Sequence, residues 1–181
     1  VYEIPYFIAL GLFAVKLINT ARLKRVFLGY MGGLDREYLA DLSRQFASSQ
    51  IEAVVYPELR AEIERNRSLG RRLVLNTASP DVYVPAIAAQ LGFDDWFATP
   101  LSSGSGTLPR WPEFSGPNNK GSQKIHAMEA AGLKGADIFA AYSDSASDLP
   151  ILEPAREGFL VHPGAGRFEG VGGFSEWTIL K

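Results

Sequence analysis

An α/β fold built on a parallel sheet is what this sequence predicts, and three observations predict it. Short apolar stretches bounded by turn residues recur around 73–77, 95–99, 137–142 and 158–162, as buried strands do. Helical patterns closed by Gly70, Gly92 and Gly132 separate them. Helix, strand and helix in alternation imply parallel strands joined by crossovers.

The elements follow in order. Ile4 to Val15 is almost wholly apolar, but Lys16 and Asn19 interrupt it before the roughly 18–20 residues needed to cross a bilayer, and no small-residue cleavage site follows. A buried helix is expected. A second reading lays this helix at a membrane surface, with Phe7, Leu10 and Phe13 inward and Lys16, Arg22, Lys24 and Arg25 near anionic headgroups. After Gly32-Gly33, Leu34, Tyr38, Leu42 and Phe46 recur every four residues and predict an amphipathic helix. Pro57 opens the next helix, with Leu59 and Ile63 on its apolar face and Gly70 at its close. Arg71 to Thr77 reads as a strand, followed by Ala78-Ser79-Pro80 and a helix from about Asp81 to Gly92. Asp95 to Thr99 is the second strand; Ser102 to Pro117, rich in Gly, Ser and Pro, is a hairpin or loop. A helix from about Gly121 to Ala131 leads to a strand over Asp137–Tyr142, a short helix around Leu149–Ala155, a last strand over Gly158–His162 and a glycine-rich tail.

Composition sets the outer limits. With 181 residues the chain fits one domain with a small cap or insertion, and 46% hydrophobic against 21% charged residues suits a packed core. Residues 1–33 carry four cations against Glu3 alone, a net of +3 within a chain of net charge -2, and no basic platform for nucleic acid emerges. The absence of cysteine removes disulfide and thiolate chemistry and fits a reducing compartment, so a cytoplasmic location is expected. The chain opens on Val1 and not on methionine, which suggests a start inside a longer gene product.

Ligands of open parallel sheets collect outside the carboxyl ends of the strands. Three polar clusters fall there: Thr77 with Ser79, Lys124 in the first turn of a helix, and Asp144 with Asp148. Hydroxyl and backbone N–H groups can hold phosphoryl oxygens, a lysine can balance their charge, and carboxylates can hold Mg²⁺, a hard cation that prefers oxygen. Each element alone has a plainer explanation. Thr-Ala-Ser-Pro is an ordinary helix start, a lone helix lysine is usually solvated, and Ser-x-x-Asp is a common capping pattern. His126 and His162, lacking ligand-spaced neighbours, read as structural or surface residues; Trp111 and Phe114 either close over a substrate or pack the loop.

The three clusters in this order resemble the motifs of the haloacid dehalogenase superfamily, in its phosphoserine-phosphatase-like branch. Leu73 to Pro80 is similar to its second motif, Asn119 to Lys124 to its third, and Tyr142 to Leu152 to its fourth. The resemblance implies a doubly wound, Rossmann-like sheet over 57–181 and a partial helical cap over 1–56. It also implies a Mg²⁺-dependent phosphomonoester hydrolase acting through an aspartyl-phosphate on a small-molecule substrate. By analogy, Thr77, Ala78 and Ser79 hold the phosphoryl group, and Lys124 stabilises it and the nucleophile. Asp144 ligates Mg²⁺, and Asp148 supports the metal's water shell or the lysine. The first motif, a strand followed by Asp-x-Asp-x-Thr, appears nowhere in these residues. Its strand would be the central one, so a missing segment is expected. A competing reading is a non-catalytic phosphate-binding or interaction module that has lost that motif and associates with a partner or a membrane surface.

Overall fold

The computed structural model describes residues 3–102, 106–163 and 177–180, and the glycine-rich tail lies outside them. Helices α1 (Glu3–Ala14), α2 (Thr20–Leu28), α3 (Arg36–Val54) and α4 (Pro57–Ser68) come first. Strand β1 (Val74–Pro80), α5 (Val84–Leu91), β2 (Asp95–Thr99) and α6 (Gln123–Ala130) follow. Then come β3 (Ala140–Ser143), α7 (Leu149–Leu152), β4 (Glu157–Val161) and β5 (Thr178–Leu180). Every strand pair is parallel, as the alternating pattern requires.

The strands form two groups. β1 pairs with β2, and β3, β4 and β5 pair in that order, but β1 and β3 share no ladder. The two groups are nevertheless tied at both ends. Arg71, just ahead of β1, lies 3.5 Å from the ring centre of Phe139, just ahead of β3, a cation–π contact. At the other end the tie is Lys124, described below. Asn66 of α4 joins in: it accepts from Arg71 at 2.8 Å and donates to the Tyr142 hydroxyl at 3.2 Å. That hydroxyl donates to Glu62 at 2.6 Å, and burial together with this bond raises the phenol above its ordinary range, so it stays a donor.

Helix ends follow local chemistry. Asn19 accepts from Arg22 N–H at 3.0 Å, and Asp35 accepts from Glu37 and Tyr38 N–H at 2.8 and 3.2 Å, so both starts are capped by short polar side chains. Gly92 closes α5 in the left-handed region at φ 69°, where a Cβ would be strained.

Several expectations shift. β1 starts at Val74 and not Arg71, and it runs on through the Thr-Ala-Ser-Pro segment, with its register against β2 broken between Asn76 and Pro80. β3 starts at Ala140 because Gly135–Asp137 is wound into a 3-10 turn. The face of α3 that packs is offset by one residue. Leu39, Ala47 and Ile51 are buried, while Tyr38, Leu42 and Phe46 are exposed. The small Ala47 on this face permits a close approach to α5, whose Val84 and Ala88 are also buried, and proximity outweighs side-chain size. The expected burial of α1 is overturned as well: it packs on α2, Ala9 is buried, but Phe7 is 64% and Ile8 58% exposed. A helix apolar on every side presents more surface than one neighbour can cover. No helix among the described residues is long and apolar enough to cross a membrane.

The helical region and the 101–114 loop share a core of Leu28, Leu39, Leu101 and Leu108, with Phe114 packed against it. Phe114 therefore serves loop packing, while Trp111 is 58% exposed. Backbone pairing welds the same parts: Gly33 N–H donates to Leu108 O and Leu108 N–H to Leu34 O, each at 2.8 Å. Of the two histidines, His126 is exposed, and His162 stacks on Tyr56 with ring centres 4.4 Å apart.

The approach of Gly32 to this loop yields a prediction. A Cβ there would stand 2.7 Å from the Arg110 Cα, a backbone atom that cannot rotate away. Gly32→Ala should lower stability by about 1–3 kcal/mol, typical of overpacking. Thermal denaturation followed by circular dichroism measures it, and an unchanged midpoint would show that the loop gives way freely.

Candidate active site

The carboxyl ends of β1 and β3 meet at Lys124. This side chain, in the first turn of α6 and only 7% exposed, donates from Nζ to Asp148 Oδ2 at 2.6 Å. The Ser143 hydroxyl donates to the same oxygen at 2.8 Å, and the Ser147 hydroxyl lies 3.4 Å from Oδ1. A buried carboxylate is thus held by one cation and two hydroxyls, the satisfaction that burial of charge demands.

On the other side, Asn76 Nδ2 donates to the Lys124 carbonyl at 3.0 Å. Buried Asn119 donates from Nδ2 to Asn76 Oδ1 at 2.9 Å and to the Thr77 carbonyl at 3.0 Å. Its own N–H donates to the hydroxyl of Thr99, which is fully buried and donates in turn to the Ala78 carbonyl at 2.8 Å. Asn119 Oδ1 is buried without a partner among the described residues. The Thr77–Ser79 segment is therefore held from behind by carbonyl contacts. Within it, Ser79 N–H donates to Thr77 Oγ1 at 3.1 Å, and both residues stay partly exposed.

Gly121 permits the turn into α6 at φ 63°, and Lys124 N–H donates to its carbonyl at 3.1 Å. After β3, Ser145 caps a single 3-10 turn that carries Asp148 inward, and Asp144 is left exposed one residue past the strand. Of the residues singled out from the sequence, Lys124 and Asp148 are in direct contact, and Thr77 and Ala78 join them through Asn76, Asn119 and Thr99. Ser79 and Asp144 stand on the adjoining loops. Asn76, Thr99, Asn118 and Asn119 were missed as site residues. For Asn76 and Thr99 the available signal was a polar residue inside an apolar strand, which must find a buried partner; the loop residues Asn118 and Asn119 carried no such signal.

One contact comes from the helical region. Lys24 of α2 reaches the Ala78 carbonyl and donates to Asn118 Oδ1 at 2.7 Å. Burial first, and then the charges of Lys120 and Lys124, hold its ammonium below the usual lysine range.

Asp144 presents an exposed carboxylate to a hard divalent cation just past β3, and the Asp148 carboxylate lies against Lys124. No group of three acids or imidazoles gathers among the described residues. This donor set fits Mg²⁺ in its usual manner of one or two carboxylates with waters and a phosphate completing the shell.

The family model of haloacid dehalogenase-like hydrolases matches residues 5–153. The "Inhibition of morphological differentiation protein" of Streptomyces azureus is 31% identical over 170 residues, covering 81% of this chain and 60% of the relative. The chain thus spans less than two thirds of that curated relative. Among solved structures, a protein of unknown function from Bordetella pertussis Tohama I aligns with a TM-score of 0.79 at 18% identity, over 96% of this chain and 79% of the other. A probable phosphoserine phosphatase from Vibrio cholerae aligns with a TM-score of 0.65 at 14% identity, over 89% and 48%. The structural matches establish the shared fold. The family match, which runs from α1 through the buried lysine–aspartate pair, makes this chain a member of the haloacid dehalogenase-like hydrolases.

Proposed function

We propose that this chain is the larger part of a Mg²⁺-dependent phosphomonoester hydrolase that works through an aspartyl-phosphate. The observation that carries the reading is the buried Lys124–Asp148 pair between the carboxyl ends of β1 and β3, near the Thr77–Ser79 segment. A preorganised cation in a water-poor site stabilises charge as it develops on a transferring phosphoryl group. Thr77 and Ser79 offer hydroxyls to the phosphoryl oxygens, and Asn119 and Thr99 hold the backbone of that segment in place. Asp148 holds the Lys124 side chain in place through its 2.6 Å contact. Asp144 would hold Mg²⁺, which when bound neutralises phosphate charge.

Among the described residues of the site, none is assigned the attack on phosphorus. In this reading the strand bearing the nucleophilic aspartate lies between β1 and β3, a placement supported by the absence of a shared ladder between two strands that side chains tie together. Room for one strand requires the neighbours to stand about 9.5 Å apart, twice the usual spacing. In this reading the strand belongs to the full-length gene product or to another chain. Its aspartate attacks phosphorus, the ester P–O bond breaks and the leaving oxygen takes a proton from a second acid. Water then cleaves the acyl phosphate to return the aspartate and release phosphate.

Three outcomes are expected. Lys124→Ala in the full-length gene product should lower turnover of phosphomonoesters at least about a hundredfold, as loss of one preorganised electrostatic contact does. Turnover unchanged by the substitution would remove Lys124 from the chemistry. Asp144→Asn should abolish Mg²⁺-dependent hydrolysis with the circular dichroism spectrum preserved, and activity within about twofold of wild type at limiting Mg²⁺ would rule out its role as ligand. The 181 residues alone, verified by intact mass, should show no turnover of a phosphomonoester panel. Mg²⁺-dependent hydrolysis by that material would sink the inserted-strand mechanism.

A further inference from the structure

We propose that the α1 end of the helical region docks on an anionic membrane surface, with the exposed face of α1 lying in the lipid interface and Lys16 and Arg22 among the headgroups. None of the residues involved belongs to the phosphoryl site, so this docking surface and the phosphatase reading stand or fall separately.

Helix α1 packs on α2 and buries Ala9, while Phe7, Ile8 and Val15 are 64%, 58% and 65% exposed. Val15 N–H donates to the Gly11 carbonyl at 3.1 Å, which carries the helical winding one residue past Ala14. At about 3.6 residues per turn, Phe7, Ile8, Gly11 and Val15 share one stripe, and Ala9 lies on the other side. A Cβ at Gly11 would meet nothing within 4 Å, so the stripe is open at its middle. Beyond it, Leu17 is 68% exposed and joins Phe13 and Ile18 in a cleft of about 750 Å³ whose other lining residues include Lys16 and Arg22. The 12 residues of α1 extend about 18 Å, too short for a bilayer core of about 30 Å but long enough to lie in its plane.

Charge selects the occupant. Residues 1–33 carry a net of +3 within a chain of net charge -2. Two of the four cations are committed inside the protein: Lys24 donates to Asn118 and reaches the Ala78 carbonyl, and Arg25 pairs with Glu113. Lys16 and Arg22 are exposed at the cleft and enter no ion pair among the described residues. An apolar stripe flanked by two such cations matches an anionic bilayer on both counts, since the acyl boundary takes the side chains and the headgroups take the charge. A second copy of the chain set face to face would bring one +3 region against another, and like charges oppose that contact.

The test is co-sedimentation of the full-length gene product with vesicles of phosphatidylcholine alone or mixed equally with phosphatidylglycerol. Wild type should bind the mixed vesicles at least about tenfold more tightly than the neutral ones, and added salt should shrink that ratio. Lys16→Glu combined with Arg22→Glu should erase the preference. Ile8→Asp, with its circular dichroism spectrum preserved, should weaken binding to the mixed vesicles at least about tenfold, because the stripe then carries a charge into the lipid. Gly11→Leu adds an apolar side chain where nothing stands in the way and should tighten binding at least about threefold. Should Ile8→Asp fail to fold, Gly11→Leu decides. Wild type that ignores both kinds of vesicle, or binds them equally, overturns the proposal, and a dimer that Ile8→Asp dissociates would then assign the stripe to a second copy. Binding unchanged by Gly11→Leu also overturns it. So does a Gly11→Leu variant of lowered thermal midpoint, which would show that the rest of the gene product covers the stripe.

Discussion

A single buried charge pair organises this molecule. Lys124 and Asp148 lie 2.6 Å apart with little solvent to share, so every remaining lone pair and proton around them must be answered by protein. That demand places Ser143 and Ser147 on the carboxylate and Asn76 on the lysine carbonyl. It reaches further, because Asn76 recruits Asn119 and Asn119 recruits Thr99. Strands that share no ladder are thereby held in fixed relation by side chains. A pair of this kind contributes little net stability, since desolvation offsets attraction, but removing one partner costs about 3–5 kcal/mol. Its value lies in geometry.

The helical region is part of the same arrangement. Leu28 and Leu39 pack with Leu101 and Leu108, and the antiparallel contacts between 33–36 and 106–108 fix the loop that leads to Asn118 and Asn119. Helix α2 therefore stands at a set height over the Thr77–Ser79 segment, close enough for one lysine to reach it. Sequence distance and site distance are unrelated here: the loop brings its neutral oxygens, and the helix brings the charge.

Much of this was legible in the sequence where the cause is local. The parallel α/β order, the glycine-closed helices, Lys124 and the Asp144–Asp148 segment all follow from patterns within a few residues. The roles of Thr99, Asn119 and Lys24 were not, because each is set by contacts spanning 20 to 54 positions in sequence. The helical faces failed for a related reason. The large residues of α3 mark an apolar stripe, yet the helix packs along Leu39, Ala47 and Ile51, where the small Ala47 allows a closer neighbour. Hydrophobicity reveals what can be buried, whereas the partner's shape decides what is buried.

That β1 and β3 share no ladder also bears on how the protein must be handled by a cell. An unpaired strand edge is indifferent to sequence, since its N–H and C=O groups accept any extended backbone, native or foreign. With Arg71–Phe139 at one end and the Asn76–Lys124–Asp148–Ser143 relay at the other, the two edges are presented in a frame that is already built. Such a frame lowers the entropic cost of strand insertion, and it does so equally for the proper strand and for a copy of another molecule. Edges of this kind favour domain exchange and aggregation wherever their own partner strand is late or absent, at a rate set by local strand concentration.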